Sequence, residues 1–279
     1  MVTTPIITFI SDSNEPDVYN DVNSLPNPFT MNIPVGIANT HPSATLYFKM
    51  SIVSPPADYS VSTQNLGSLA SGANGIFVFS PVRAKPTLTA GEYNETLTFR
   101  VDAYTDAGYS AAYANQTLSV TLHHFDHTDA SWTVLDHTTF DDGSMQGWDM
   151  NGFYADDVGT QNPILRTSTR FLSSPYALQT IPGVNGKTFK IFNTSTYNRA
   201  RVVIHVYEQS NNYPQYATSS AVRIDYAVKK PLAISLPHDQ WCRLAYNLPI
   251  GASKEVAIGG RSGYQCEVFF DEIWVIAKL

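Results

Sequence analysis

Apolar and polar residues alternate along most of this 279-residue chain. In residues 95–103, Leu97, Phe99, Val101 and Ala103 fall on one side of an extended backbone and Thr98, Arg100 and Asp102 on the other. A two-residue period of this kind is that of a strand with one buried face. Val222, Ile224, Tyr226 and Val228 alternate with Arg223, Asp225 and Ala227 in the same way. The pattern predicts strands at 29–37, 45–53, 75–80, 95–103 and 116–122, and again at 188–192, 201–207, 221–228, 231–235, 241–247 and 267–277. Turn-forming clusters such as Ser54-Pro-Pro-Ala-Asp58 and Ser71-Gly-Ala-Asn-Gly75 bound these runs, and no helical stripe of comparable length interrupts them. The chain reads as all-β.

Two β-sandwich domains in tandem fit the spacing. The short polar stretch His123-His-Phe-Asp-His-Thr-Asp-Ala-Ser131 marks the join, giving a first domain over 1–125, a linker over 126–131 and a second domain over 132–279. His123, His124 and His127 are not read as a metal site, because adjacent strand residues point to opposite faces. About seven strands in about 120 residues is what an immunoglobulin-like sandwich needs. The run from Leu88 to Val101, with Gly91-Glu-Tyr93 at its turn, resembles the corner and penultimate strand of immunoglobulin-like domains, and Tyr93 is the residue that would occupy the corner.

The second half carries a resemblance of its own. Thr139-Phe-Asp-Asp-Gly-Ser-Met-Gln-Gly-Trp148 and Glu267-Val-Phe-Phe-Asp-Glu-Ile-Trp-Val-Ile-Ala277 resemble the first and last strands of jelly rolls in the galactose-binding-like, carbohydrate-binding-module superfamily. The resemblance implies a jelly-roll sandwich over 132–279. It also implies a structural Ca²⁺ tying the first strand region to the last, with Asp141 and Asp271 as ligands and Asp142, Asp136 and Glu272 in reserve. Two acids on neighbouring strands would otherwise repel. The family spans sugar binders, calcium-stabilised spacers and structural domains, so the ligand does not follow from it.

Composition narrows the partners. Charged residues make up 15% of the chain and aromatics 12%, with Tyr (16) ahead of Phe (14) and Trp (4), a balance suited to half-buried pleated surfaces. A formal charge of -7 leaves no basic footprint for phosphates, which argues against nucleic acid. No apolar run approaches the length of a membrane span. The first ten residues lack the features of a secretory signal, so either none is made or it has been removed. The triplets Asn94-Glu-Thr96, Asn115-Gln-Thr117 and Asn193-Thr-Ser195 suit an extracellular or cell-surface protein. Cys242 and Cys266 are the only cysteines; turns between them allow a disulfide, and two buried thiols are the other reading.

No local catalytic motif is present, and the 24 acids are scattered, so a non-enzyme is expected. Binding a glycan requires aromatic faces for the apolar side of a sugar ring and amides or charges for its hydroxyls. The expected ligand-binding residues are Trp148, Tyr154, Tyr213, Tyr216 and Tyr264, with the loop Asn211-Asn-Tyr-Pro-Gln-Tyr216 combining two rings with three amides. Trp241 and Trp274 are assigned to a core or a sheet face. Three functions remain open. One is an extracellular binding or adhesion protein that takes a glycan or cell-surface polysaccharide through its jelly roll, with the first domain as spacer. Another is a structural filament, envelope or virion protein that self-associates, with Ile6-Ile-Thr-Phe-Ile10 as a strand that could be donated to a neighbour. The last is an accessory region of a larger secreted hydrolase.

Overall fold

The computed structural model describes residues 6–9, 17–23, 25–31, 33–152, 165–167, 170–173, 175–179, 187–209, 220–225, 227–229, 239–260 and 267–279. All regular structure among them is strand, and the chain divides into two compact units, Met1–Phe125 and Asp126–Leu279. Each unit is a β-sandwich.

Unit 1 contains β1 (Ile6–Phe9), β2 (Asp17–Asp21), β3 (Phe29–Thr30), β4 (Ile33–Ala38), β5 (Leu46–Ile52), β6 (Tyr59–Val61), β7 (Thr63–Leu69), β8 (Asn74–Phe79), β9 (Val82–Arg83), β10 (Glu92–Tyr104) and β11 (Ala112–Phe125). One sheet runs β1-β4-β8, a second runs β2-β11-β10-β5-β7, and β3-β9-β6 forms a small third. Strands β2 and β11 pair parallel; the other pairings in the unit are antiparallel. The inward residues of β4 (Ile33, Val35, Ile37), β5 (Leu46, Phe48, Met50) and β10 (Leu97, Phe99, Val101) meet in one core. The alternation seen in the sequence thus becomes a buried face on each sheet. The run expected at 29–37 breaks into β3 and β4. Strand β1, the candidate for donation, pairs in register with β4, Ile6 opposite Ala38 and Phe9 opposite Val35, so its own unit takes it up.

A charged network closes one part of this unit. Arg83 is 1% exposed and forms ion pairs with both Asp58 and Glu95. Tyr59 Oη donates to Glu95 Oε1 at 2.6 Å, and His124 Nε2 lies 3.0 Å from the same oxygen. Burial alone would raise the Glu95 carboxyl, but the hydrogen bonds from His124 and Tyr59 and the Arg83 charge win and hold it below its ordinary value. Burial pushes His124 down, which keeps its ring neutral. Tyr93, the expected corner residue, covers the network: its ring stacks on His124 at 6.1 Å and its centroid lies 5.6 Å from the Arg83 guanidinium.

Unit 2 contains β12 (Thr133–Thr138), β13 (Asp149–Gly152), β14 (Leu165–Thr167), β15 (Ala177–Gln179), β16 (Lys187–Phe192), β17 (Arg199–Glu208), β18 (Ser220–Ile224), β19 (Ala227–Lys229), β20 (Trp241–Asn247), β21 (Lys254–Gly260) and β22 (Val268–Lys278). One sheet runs β14-β15-β22-β17-β20, with β12 also pairing β22, and the other runs β13-β16-β21-β18-β19. Ala200, Val202, Ile204 and Val206 of β17 and Phe270, Ile273, Val275 and Ala277 of β22 pack with Val222, Val256 and Ile258 of the opposing sheet.

Two expectations are corrected here. The stretch 139–148 is not the first strand; it is a turn-rich segment, and β12 just before it is what pairs with β22. Its apolar ends are nonetheless core: Phe140 is fully buried, and Gln146 Oε1 accepts from the Thr139 and Phe140 amides, holding the turns in place. The run 221–228 is a hairpin, β18 and β19, rather than one strand. Asp225 has φ 51°, a left-handed conformation that Asp tolerates in turns, and its carboxylate is pinned by Lys254 at 2.8 Å.

Removing one partner of a buried ion pair strands the other charge. Arg83→Leu is therefore expected to destabilise unit 1 by about 3–5 kcal/mol. Arg83→Leu combined with Glu95→Leu is expected to recover much of that loss. Urea unfolding followed through the β10–β11 amides checks both, and equal losses in the single and double variants would refute the uncompensated-charge account.

Candidate functional site

Residues of β17 that do not face the core lie on the other face of the sheet with their cross-strand partners, where Arg201, Val203 and Tyr207 are themselves buried. Register places Trp241 of β20 opposite Tyr207 of β17, and Tyr207 opposite Phe269 of β22, which in turn pairs with Gln179 of β15. An aromatic row thus crosses three strands. Trp241 and Tyr207 lie 5.7 Å apart between ring centroids and Tyr207 and Phe269 5.9 Å apart, both edge-to-face. Tyr207 and Phe269 are buried while Trp241 is half-exposed, so two rings support the third.

Charged and polar groups flank this row. Arg170 places its guanidinium 4.3 Å from the Tyr207 ring centroid, and its Nη1 donates to Tyr207 Oη at 2.5 Å. Tyr207 Oη donates onward to Asp239 Oδ1 at 3.3 Å. Arg170 Nε is buried and has no partner among the described residues. In the next row, Arg243 Nε donates to His205 Nε2 at 3.0 Å, which makes that nitrogen the acceptor and leaves Nδ1 to donate to the Glu272 carbonyl, also at 3.0 Å. Further along, the Trp274 ring stacks on His137 at 3.5 Å and meets His127 at 4.8 Å, while His137 Nε2 lies 2.6 Å from Glu272 Oε2.

The residues expected to bind ligand have varied fates. Trp148 is corrected: it is 4% exposed, belongs to the core of unit 2 and donates Nε1–H to Thr138 Oγ1 at 3.0 Å, so its ring presents no face to a sugar. Tyr154, Tyr213, Tyr216 and Tyr264 lie outside the described residues, as does Cys266; Cys242 sits half-buried on β20 opposite Val206. Trp241 and Trp274 lie on the sheet face. The row of Trp241, Tyr207 and Phe269 was not legible in the sequence as a group, because cross-strand register alone brings residues 207, 241 and 269 together.

Asp271 is fully buried, and its Oδ2 accepts from the Leu172 amide at 2.8 Å and the Ser173 amide at 2.9 Å. Its Oδ1 accepts from the Glu272 amide at 2.8 Å and Ser173 Oγ at 3.1 Å. A carboxylate has about four lone-pair positions, and here protein donors hold all of them. Asp136 pairs with Lys190 at 2.7 Å, Asp142 accepts from the Ser144 amide at 2.8 Å, and Glu272 is engaged by His137. Asp141 alone of these acids keeps a buried oxygen, Oδ1, without a partner among the described residues. This donor set does not fit a Ca²⁺ site centred on Asp271, since an ion would have to displace hydrogen bonds that anchor residues 172 and 173. Asp271 instead clamps that loop to β22.

Burial pushes the Asp271 carboxyl up to about 6, against the pull of the Ser173, Leu172 and Glu272 amides. The folded value lies above the unfolded value of about 3.9, so the folded form takes up the proton first. The contribution of this group to stability is therefore greatest below about pH 4 and is lost as pH rises through 6. The Leu172 and Ser173 amide resonances are expected to titrate with a midpoint near 6, and a midpoint near 4 would show that the amide donors outweigh burial. Chelation is expected to leave the melting temperature of unit 2 unchanged; a fall of several degrees in EGTA would mean that Asp141 and Asp271 rearrange around an ion.

No protein-family model and no curated protein matches the chain. Among solved structures, the chain is similar to the N-terminal CBM22-1–CBM22-2 tandem domain of Paenibacillus barcinonensis Xyn10C at 8% identity, covering 98% of each chain with a TM-score of 0.39. It is also similar to the K3 cleaved adhesin domain of Lys-gingipain from Porphyromonas gingivalis, at 11% identity over 52% of this chain and 98% of that one, TM-score 0.38. The secreted serine protease VesC from Vibrio cholerae aligns at 11% identity over 92% of this chain, which spans 49% of the protease, TM-score 0.29. Likenesses this loose carry no argument about the function of the chain.

Proposed function

We propose that this is a non-catalytic, extracellular or cell-surface glycan-binding protein whose unit 2 takes a sugar at Trp241 on β20, the end strand of the β22–β17–β20 sheet. The observation that carries the reading is the half-exposed Trp241 ring, braced edge-to-face by Tyr207 and flanked by Arg170, Asp239 and Arg243. A sugar ring has one apolar side and a rim of hydroxyls; an indole covers the first, and an arginine beside a carboxylate serves the second. Asp271 is engaged by four donors, Glu272 by His137 and Asp239 by Tyr207, which supports binding over acid–base chemistry.

The strand orders support a finer architectural reading. In unit 1, β1-β4-β8 set against β2-β11-β10-β5-β7 corresponds to the A-B-E and A′-G-F-C-C′ order of an immunoglobulin-like sandwich. In unit 2, two antiparallel sheets, one centred on β22, the last strand in the chain, and the other on β21, suit a jelly roll.

Trp241→Ala is expected to weaken binding to the preferred polysaccharide about tenfold, about 1.4 kcal/mol, with little change in melting temperature because the ring is half-exposed. Affinity electrophoresis against xylan, mixed-linkage β-glucan and mannan reads the effect. Unchanged retention in the variant would sink this reading.

A further inference from the structure

Unit 1 carries a second surface with the chemistry of carbohydrate recognition. On the outward face of the sheet β2-β11-β10-β5-β7, Tyr104 of β10 stands opposite Tyr47 of β5. Tyr109, in the loop joining β10 to β11, meets both: its ring centroid is 5.5 Å from that of Tyr104 and 6.4 Å from that of Tyr47, edge-to-face in each case. All three rings are half-buried, and their hydroxyls have no hydrogen-bond partner among the described residues. Directly beside them, Asp102 stands opposite Lys49 and accepts from Arg100 Nε at 2.8 Å.

The loop that presents Tyr109 is held in one shape. Asp106 Oδ1 accepts from the Ala111 amide at 2.5 Å and the Ser110 amide at 3.1 Å, while its Oδ2 accepts from Ser110 Oγ at 2.9 Å. Thr105 N–H donates to the Ala111 carbonyl at 3.0 Å, closing the loop, and Tyr109 sits at φ 54°. Ligand binding to such a surface loses little conformational entropy, because the ring positions are set before the ligand arrives.

We propose that this face binds a carbohydrate chain, with a sugar ring against the Tyr104–Tyr109 crest and its hydroxyls bonded by Lys49, Asp102 and the tyrosine hydroxyls. Unit 1 is then a second binding module rather than a spacer. The composition of the face selects this occupant over a protein. The centre of a protein–protein interface is enriched in apolar and aromatic side chains and depleted in charge. Apart from Arg100 and the small Ala112 opposite Tyr104, the remaining outward positions of β5, β7 and the facing parts of β10 and β11 are Ser, Thr and Asn, with no large aliphatic residue among them. Short hydroxyl and amide side chains beside an ion pair and three phenols match a ligand that is itself rich in hydroxyls.

The test uses the full chain, produced in a host without N-glycosylation so that Asn115 on this face carries no glycan, and starts from Trp241→Ala so that unit 2 does not mask the result. Probes are soluble xylan, mixed-linkage β-glucan and mannan, read by affinity electrophoresis, with a thermal melt of each variant to confirm folding. The expected result is residual retention by at least one polysaccharide in Trp241→Ala, reduced at least tenfold when Tyr104→Ala and Tyr109→Ala are added, and largely kept by Tyr104→Phe. Residual retention insensitive to both tyrosines, or no residual retention, would overturn the proposal. So would a concentration-dependent mass in sedimentation that Tyr104→Ala abolishes, which would make the face a contact between copies of the chain. Retention by the unsubstituted chain that survives Trp241→Ala but fails with the tyrosine variants would, by contrast, discard the unit 2 reading and keep this one.

Discussion

The closing strand β22 has to be buried on both faces, and unit 2 is organised around that requirement. From Val268 to Ala277 only Glu272 and Trp274 are not fully buried. Such a strand can carry two adjacent acids, Asp271 and Glu272, only if neither points into the core. A bulge achieves this: β17 shifts register between Val203 and His205, so that two residues of β22 stand where one would, and Glu272 takes φ 47°. Phe270 and Ile273 then both face the core, and the acids between them do not. The same bulge aims Asp271 at the 172–173 amides and Glu272 at His137.

Buried charge is handled in two different ways in the two units. In unit 1 Arg83 is satisfied by opposite charges, Asp58 and Glu95, with Tyr59 and His124 completing the acceptor shell of Glu95. In unit 2 no cation among the described residues pairs with Asp271, which is satisfied by three amides and a hydroxyl. At Asp271 burial prevails over the amide donors and raises the carboxyl, whereas at Glu95 the hydrogen bonds from His124 and Tyr59, together with the Arg83 charge, outweigh burial and lower it. Asp271 also fixes residues 172 and 173, close in the chain to Arg170 beside the aromatic row.

Both candidate faces use one design. In each, a sheet presents rings whose mutual edge-to-face packing fixes their orientation, next to an arginine and a carboxylate, and a carboxylate-pinned loop supplies one element, Arg170 beside the Asp271 clamp or Tyr109 beside Asp106. They differ in depth. Tyr207 and Phe269 are buried beneath Trp241, while the three tyrosines of unit 1 share partial exposure.

The sequence by itself located many of the strands and, where apolar and polar residues alternate, the side that is buried. The run 241–247 matches β20, and 95–103 lies within β10, because period-two alternation is a local property that solvent exclusion enforces strand by strand. Where local signals compete, tertiary structure decided. Residues 139–148 carry the apolar ends of a strand but fold as turns that drop Phe140 and Trp148 into the core, and 221–228 alternates like a strand yet reverses at Asp225. The aromatic row of Trp241, Tyr207 and Phe269 and the crest of Tyr47, Tyr104 and Tyr109 were beyond the sequence for a different reason. Alternation states which face a side chain takes, but neighbours across a sheet are set by the register of hydrogen-bonded strands that are distant in the chain.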